Sequence, residues 1–500
     1  MPITFIPNDP KSTGGPPVRA KSPRPNRAAS VAGFTYVAHN PAAQHPLGDS
    51  TFLFWQSRDA ALAAVQAYES LSGRKVTKWA RASSPKKLAL VPDDGVDLNA
   101  YYDGNSVRFF EYTTGAKTTW SGASTDVVAH ECGHALLDQS RPDLWDSAYT
   151  ETNAFHEAFG DCMALLTAFS DSLTRDKVRT RLRRANFVEA TAEDLSDGVR
   201  RALGAQHGAA QPRHARNTFQ WALPSTLPSS GPPNVLSGEI HSFARVFTGC
   251  FYDLILNVLA QLGGTGAPSN AKLEGAVRTV GKLLIRAAAE APETARFFQS
   301  VGRTMVLADD AINGGAHRQA ISAAFQKHNI ALGSAAMLAP VAALAAKPLK
   351  KSALASGALP HAAVRDLRTR LGVLPGEQLM IAAHDIGGER VVRATALRRV
   401  ALGGLDKRLA GVFAIAPQPV LVGAVANATA ILGGVPEPGG AEDEVNAFVA
   451  TLLEANRIAF DREARKGIKG KRGDNRMRLP THVIHQEGKA KVLRRVRFAC

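Results

Sequence analysis

The chain of 500 residues has few cysteines and no long apolar run. Its cysteines are too few and too scattered for a disulfide framework: Cys132, Cys162, Cys250 and Cys500. The most apolar stretch, residues 332–346, is rich in alanine, shorter than a membrane crossing and interrupted by Pro340. These absences exclude a disulfide-stapled secreted module and predict a chain without a transmembrane segment.

The N-terminus also lacks a secretory signal. Residues 1–32 contain prolines and basic residues but no hydrophobic signal-peptide core. We therefore expect a disordered basic leader, and a protein that is cytoplasmic or exported by an unconventional route.

The bulk composition is that of a soluble globular chain, with 45% apolar and 21% charged residues. Its length exceeds what one hydrophobic core usually supports, which predicts two or three domains. No internal repeat is evident.

The net charge of +16 is concentrated at the C-terminus, where residues 461–500 hold 13 Lys or Arg against 4 Asp or Glu. Such a basic tail is attracted to anionic polymers or an anionic membrane surface. The competing interpretation is a solvated loop that aids solubility. The tail has no interleaved aromatic residues on which nucleic-acid bases would stack.

The strongest chemical signal is a His-Glu-x-x-His motif formed by His130, Glu131 and His134. Residues four apart lie on one face of a helix, so the two imidazoles can bind one metal ion while Glu131 reaches a water molecule beside it. A catalytic zinc site usually has three protein ligands. Glu157 is the candidate for the third, and Asp161, one turn later, can orient a ligand histidine.

A purely structural interpretation makes these histidines satisfied polar groups on a buried helix. A buried helix rarely tolerates two histidines and two carboxylates unless something cationic compensates them. The cluster therefore favours a metal or catalytic site.

These motifs resemble the thermolysin-like zinc metallopeptidases, the gluzincin group. The resemblance extends from Phe34 to Leu332. Five segments carry it, in the order of the family: Asn99–Gly104, Asp126–His134, Glu157–Asp161, Gly238–Tyr252 and Ala323–Ile330.

The resemblance implies an α+β fold with two lobes, a mixed N-lobe and a helical C-lobe, with zinc in the cleft between them. It implies one Zn²⁺ per chain, bound by His130, His134 and Glu157. In this family Asp161 corresponds to the residue that orients a ligand histidine, here most simply His130.

The implied activity is that of an endopeptidase that cleaves on the amino side of apolar residues in a peptide or protein substrate. Glu131 would act as the general base, and His241 would stabilise the oxyanion.

Four residues are implied to contact substrate: Asn99, Ala100, Arg216 and Tyr149. The first two would lie on an edge strand that pairs with the peptide backbone. Arg213 is the alternative to Arg216, and Trp145 competes with Tyr149.

Two departures from the family pattern stand out. The only acid just before His241 is Glu239, so the support of this histidine is left open. Ala168 stands where the best-known members have a calcium ligand, so we do not predict calcium and interpret Asp126 as a helix cap.

The sequence is divided into a leader (1–32), a metallopeptidase domain (33–332), a linker (333–372) and an α+β C-terminal domain with the basic tail (373–500). Residues 206–238 are interpreted as a long surface loop near the cleft. Helices are predicted at 52–71, 152–169, 240–262, 271–289, 293–311, 318–328 and 442–464, and strands at 107–112, 377–383, 389–399, 409–416 and 419–425, with a terminal hairpin at 482–485 and 491–498.

Two other functions compete with the peptidase. One is an inactive peptidase-fold binding module, against which the intact Glu131 argues. The other is a basic adaptor that works through its C-terminal domain.

Overall fold

The computed structural model describes residues 1–12, 14–15, 17–36, 41–263, 267–333, 361–374, 377–386, 389–425, 428–433, 440–460 and 479–499. Over these residues the protein is a mixed α+β structure with several sheets, as the sequence predicts. The predicted linker and the densest part of the basic tail lie mostly outside the described residues, so the predicted attraction to anionic surfaces stays a prediction.

The N-terminal segment is ordered, in contrast to the predicted disordered leader. Strand β1 (Ile3–Phe5) pairs antiparallel with β2 (Arg19–Lys21). Ile3 and Ile6 are buried, and the backbone of Ile6 exchanges two hydrogen bonds with the side chain of Gln56, of 2.9 and 3.1 Å. The prediction gave weight to prolines and basic residues, whereas the apolar residues at the start of the chain determine the structure.

A five-stranded sheet unites strands from the first part of the chain with its last described strand, in the order β18-β5-β6-β4-β3. Its strands and the adjoining hairpin β7–β8 are β3 (Gly33–Tyr36), β4 (Lys87–Val91), β5 (Ala100–Tyr102), β6 (Ser106–Phe109), β7 (Glu111–Thr114), β8 (Lys117–Trp120) and β18 (Phe498–Ala499). Strands β3, β4 and β6 run parallel, whereas β5 is antiparallel to β6 and β18 is antiparallel to β5. The last strand of the chain therefore completes a sheet formed by its first part.

Helices dominate the following region and share one large apolar core with the sheet. They and two short strands are α1 (Ser50–Ser72), α2 (Thr125–Ser140), α3 (Thr150–Ser170), α4 (Ser172–Val178), β9 (Ala190–Thr191), α5 (Glu193–Leu203), β10 (Arg213–His214), α6 (Ile240–Gln261), α7 (Asn270–Glu290), α8 (Phe297–Asn313) and α9 (Arg318–Lys327). The predicted helices are present, and the largest shift at a start is that of α8, which begins four residues later than expected.

Helices α2 and α3 approach each other closely because glycines face each other between them. A Cβ atom added to Gly133 would lie 2.8 Å from the Cα atom of Gly160. A Cβ atom added to Gly160 would lie 2.6 Å from Nδ1 of His130. Side chains on these two helices can therefore meet at short range.

The C-terminal part forms a second sheet, in the order β11-β12-β13-β17-β16-β15, with β14 also paired to β13. Its elements are α10 (His361–Arg370), β11 (Gln378–Ile386), β12 (Glu389–Ala401), β13 (Val412–Val425), β14 (Ala428–Gly433), α11 (Gly440–Glu454), β15 (Ile458–Ala459), β16 (His482–Glu487) and β17 (Ala490–Arg495). The terminal hairpin turns at Gly488, which has φ of 59°, as predicted. Strand β13 is continuous where two strands were predicted, and α11 ends about ten residues earlier than expected.

Among the described residues, α6 is the one helix long and apolar enough to cross a membrane by length and composition. Most of this helix is buried inside the protein. A buried core helix satisfies the same criteria, so this finding carries little weight.

Candidate metal centre

The two histidines of the motif lie one turn apart on α2 and face Glu157 on α3. Nε2 of His130 is 3.3 Å from Oε2 of Glu157, and Nε2 of His134 is 3.6 Å from the same oxygen. One ligand atom from each residue lies within 4.8 Å of the others. Zinc–ligand bonds of about 2.0–2.2 Å in tetrahedral geometry separate neighbouring ligand atoms by about 3.3 Å. The three side chains are thus spaced as ligands of one ion.

The burial of this cluster supports a cation as its partner. His130, His134 and Glu157 are completely buried. Both ring nitrogens of His134 and both oxygens of Glu157 make no hydrogen bond within the described residues. A buried carboxylate and imidazole without hydrogen bonds are costly, and a divalent cation would remove this cost. The donor set fits a metal ion, although the cluster alone does not identify which one.

The protonation states suit metal binding. Burial disfavours the charged imidazole and lowers the pKa of His134 to about 3. Burial alone would raise the pKa of Glu157, but His241 and the two α2 histidines outweigh it and hold this pKa well below its ordinary value. A neutral histidine and an ionised carboxylate are the forms that bind metals.

Asp161 and Arg213 orient His130 through Nδ1, the ring nitrogen that does not face Glu157. Oδ1 of Asp161 is 2.9 Å from Nδ1 of His130, and Arg213 donates to Asp161 from Nη2 at 2.8 Å. Burial tends to raise the pKa of Asp161, but Arg213 and His130 lower it to about 2. The ionised carboxylate therefore accepts the Nδ1 proton of His130 and leaves its Nε2 lone pair toward Glu157. This is the arrangement expected for Asp161.

Of the two candidate arginines, Arg213 is the one that contacts Asp161, and the predicted substrate contact of Arg216 stays a prediction. The half-exposed Arg216 has its Nε atom 4.0 Å from Glu189. Arg213 lies on β10, whose pairing with β9 sets it opposite Thr191 and directs it to Asp161.

His241 reaches the cluster from the first residue of α6. Its Nε2 atom is 3.3 Å from Oε2 of Glu157, and its Nδ1 atom is 2.6 Å from Oε1 of Glu239. Glu239 is the N-cap of α6, and its other oxygen accepts from the backbone N–H of Ser242 at 2.9 Å. Burial raises the pKa of Glu239, but His241 outweighs this effect and lowers it to about 2. One carboxylate thus starts the helix and orients the histidine, which answers the question left open by the sequence.

Both aromatic candidates for substrate contact, Tyr149 and Trp145, donate their polar hydrogens to backbone carbonyls of the C-terminal part. Tyr149 donates its hydroxyl hydrogen to the carbonyl of Pro417 at 3.0 Å, and Trp145 donates its indole N–H to the carbonyl of Arg495 at 3.1 Å. Each side chain has only one polar hydrogen. The hydroxyl hydrogen of Tyr149 is thus engaged by the C-terminal part of the chain, and the predicted substrate contact of Tyr149 stays a prediction.

The remaining predicted residues are buried near the first sheet. Asn99 accepts the backbone N–H of Ala100 at 2.9 Å, and Ala100 begins β5. Asp126 lies inside the first turn of α2, which has Ser124 at its N-cap. The carboxylate of Asp126 accepts backbone N–H groups of residues 127 and 192, so the cap interpretation is corrected by two positions.

The structure also adds residues that the motif analysis missed. The ring of Phe498 stacks on His134 with centroids 4.7 Å apart, and on His156 at 4.1 Å. Neither ring nitrogen of His156 makes a hydrogen bond within the described residues. The position of His156 next to Glu157 was a signal in the sequence, whereas no local spacing links Phe498 to α2.

Comparison with protein-family models found no match, and comparison with curated proteins found none either.

Proposed function

We propose that the chain is a zinc-dependent endopeptidase, with a two-lobed thermolysin-like fold over residues 33–332. The observation that carries this proposal is the convergence of His130, His134 and Glu157 on one buried point. Two observations favour peptide hydrolysis over a purely structural metal site: His241 lies 3.3 Å from Glu157, and the buried Glu131 directly follows His130 on α2.

Zinc held by His130, His134 and Glu157 would supply Lewis acidity toward a peptide carbonyl and a water molecule. Glu131 follows His130 on the same helix, so it is the group to take the proton of the attacking water and pass it to the leaving amine. His241, held through Nδ1 by Glu239, presents Nε2 to the oxygen that develops negative charge.

Substrate recognition follows from the edge of β5. An extended peptide that adds a strand to this edge would be held through its backbone, which allows many sequences to be cleaved. The preference for apolar residues follows from the family resemblance.

The first experiment measures metal content by mass spectrometry and casein hydrolysis with and without 1,10-phenanthroline. We expect one zinc per chain and cleavage that the chelator abolishes. Metal-free protein that cleaves casein at the same rate would refute the proposal.

The variant Glu131→Gln tests the mechanism. We expect it to retain zinc while kcat falls by about 10²–10⁴-fold, as when a general base is removed. Glu111→Gln, in the separate two-stranded sheet of β7 and β8, is the matched control and should keep full activity. Turnover by Glu131→Gln near the wild-type rate would exclude this residue as the base, whereas a zinc-bound wild type without turnover would favour the binding module.

A further inference from the structure

The edge of β5 is already occupied by the end of the chain itself. Strand β18 pairs antiparallel with β5, with Phe498 opposite Tyr102 and Ala499 opposite Tyr101. β18 is the outermost strand of this sheet. A peptide that adds to β5 must therefore take the place of β18.

The same strand contacts a residue of the candidate metal site. The Phe498 ring lies nearly parallel to the His134 ring, with an angle of 15° and a centroid distance of 4.7 Å. The guanidinium of Arg495 lies 4.0 Å from the Phe498 centroid, and the Phe498 side chain is completely buried. An aromatic side chain thus fills the space beside His134.

The segment before β18 is anchored to the connection between α2 and α3. Arg495 donates from Nε to the carbonyl of Trp145 at 3.1 Å, and its backbone N–H donates to Asp146 at 3.1 Å. Arg494 pairs with the same Asp146 at 2.9 Å. Arg497 stacks over Tyr101 at 4.7 Å. These contacts hold β18 in extended form at the edge.

We infer that β18 is an internal occupant of the β5 edge, and that Phe498 fills beside His134 the place that an aromatic side chain of a bound extended peptide would take. This inference rests on the proposed function, because the edge strand is where the peptidase would hold its substrate. A tethered occupant acts at an effective concentration in the millimolar range, so a free peptide must compete with it. Because Phe498 stacks on His134, we expect a bound peptide to prefer an aromatic side chain at this position.

The test uses a fluorescent peptide with the sequence of Arg494–Ala499 and zinc-loaded protein that carries Glu131→Gln, so that nothing is cleaved. Binding is measured by fluorescence anisotropy to the full chain and to a chain that ends after Arg495. We expect at least tenfold tighter binding to the shortened chain. A peptide with Ala in place of Phe should bind at least tenfold more weakly than the original.

A second variant guards against loss of folding. Phe498→Ala in the full chain removes the ring and keeps the backbone, and it should bind the peptide more tightly than the full chain does. Lys489→Ala, at the exposed turn between β16 and β17, is the matched control and should leave binding unchanged. Equal binding by the full and shortened chains would overturn the inference. Failure of both variants to fold, judged by circular dichroism, would also overturn it, because β18 would then be a structural strand.

An activity assay separates this inference from the proposed function. With Glu131 intact, removal of residues 496–500 should raise kcat/KM for an aromatic peptide at least tenfold. If neither the full nor the shortened chain hydrolyses peptide but the shortened chain binds it more tightly, the proposed function fails, and the inference that β18 occupies the β5 edge stands. If both forms hydrolyse peptide equally, the peptidase stands and the occupancy fails.

Discussion

Replacing Gly160 by alanine should weaken zinc binding although no ligand is changed. The added Cβ atom would lie 2.6 Å from Nδ1, 2.7 Å from Cε1 and 2.9 Å from Cγ of His130. To restore an ordinary contact of 3.4 Å, the ring must move by about 0.8 Å. The ring cannot turn away freely, because Nδ1 is held by Asp161 at 2.9 Å. Since functional sites tolerate displacements of only about 0.5 Å, this movement disturbs the ligand geometry.

Two quantities should change in Gly160→Ala. Forced packing in a filled core costs about 1–3 kcal/mol of the free energy of unfolding. Disturbing the support of a ligand histidine lowers metal affinity by about 10–100-fold. Urea denaturation of the metal-free protein measures the first quantity, and competition with a chromophoric zinc chelator measures the second.

Gly281→Ala on α7 is the control for packing alone. Its added Cβ atom would meet only side-chain ends of Leu166 and Leu71, both at 2.9 Å. The free energy of unfolding of this variant should fall unless the two leucine side chains move aside, and its zinc affinity should not change. If Gly160→Ala binds zinc as tightly as the wild type, the close approach of α2 and α3 does not position His130, and our account of the site geometry is wrong.

Two further variants test the groups behind the histidines. Asp161→Asn keeps the shape but removes the charge that accepts the Nδ1 proton of His130, so we expect zinc affinity about 10–100-fold lower in the same chelator competition, and an unchanged affinity would refute the orienting role. Glu239→Gln keeps a cap for α6 but removes the carboxylate at His241, so kcat should fall about tenfold or more at unchanged zinc content. A fall in zinc content together with activity would instead assign Glu239 to the stability of the site.

The residues of the candidate metal site were predictable because the information is local. Residues 130 and 134 share a helix face by spacing alone, and the same spacing relates 157 to 161. That the two helices pack against each other could be expected from the resemblance. The assignment of His241 also came from the resemblance, since a histidine at the start of a helix is ordinary by itself.

What the sequence did not reveal depends on register and long-range contacts. Arg213 and Arg216 are three residues apart, and the pairing of β10 with β9, which no local pattern determines, decides which one reaches Asp161. Phe498 meets His134 across more than 360 residues of chain. The ordered N-terminus is a similar case, because its few apolar residues find their partners on α1 and not in their own segment.

These contacts bear on whether residues 33–332 form an independent domain. Residues before this range supply Ile6, whose carbonyl accepts from the Thr125 hydroxyl at the start of α2. Residues after it supply β18 and an apolar cluster that buries Tyr149. A fragment of residues 33–332 would lose β1, which packs on α1, and would expose the apolar surface around Ala148 and Tyr149 that the C-terminal sheet covers. Such a surface favours association between copies.

We therefore expect the fragment 33–332 to aggregate or to unfold without a cooperative transition, whereas the full chain unfolds cooperatively. Size-exclusion chromatography and circular dichroism with heating distinguish the two. The control is the full chain in which only the predicted linker is shortened. It keeps both flanking parts and should stay monomeric. A monomeric fragment 33–332 that binds zinc and unfolds in one sharp transition would show that the flanking segments are not needed for folding. The N-terminal segment and the C-terminal sheet bury surfaces next to the two helices that carry the candidate metal site, so a boundary drawn from composition alone separates parts that pack together.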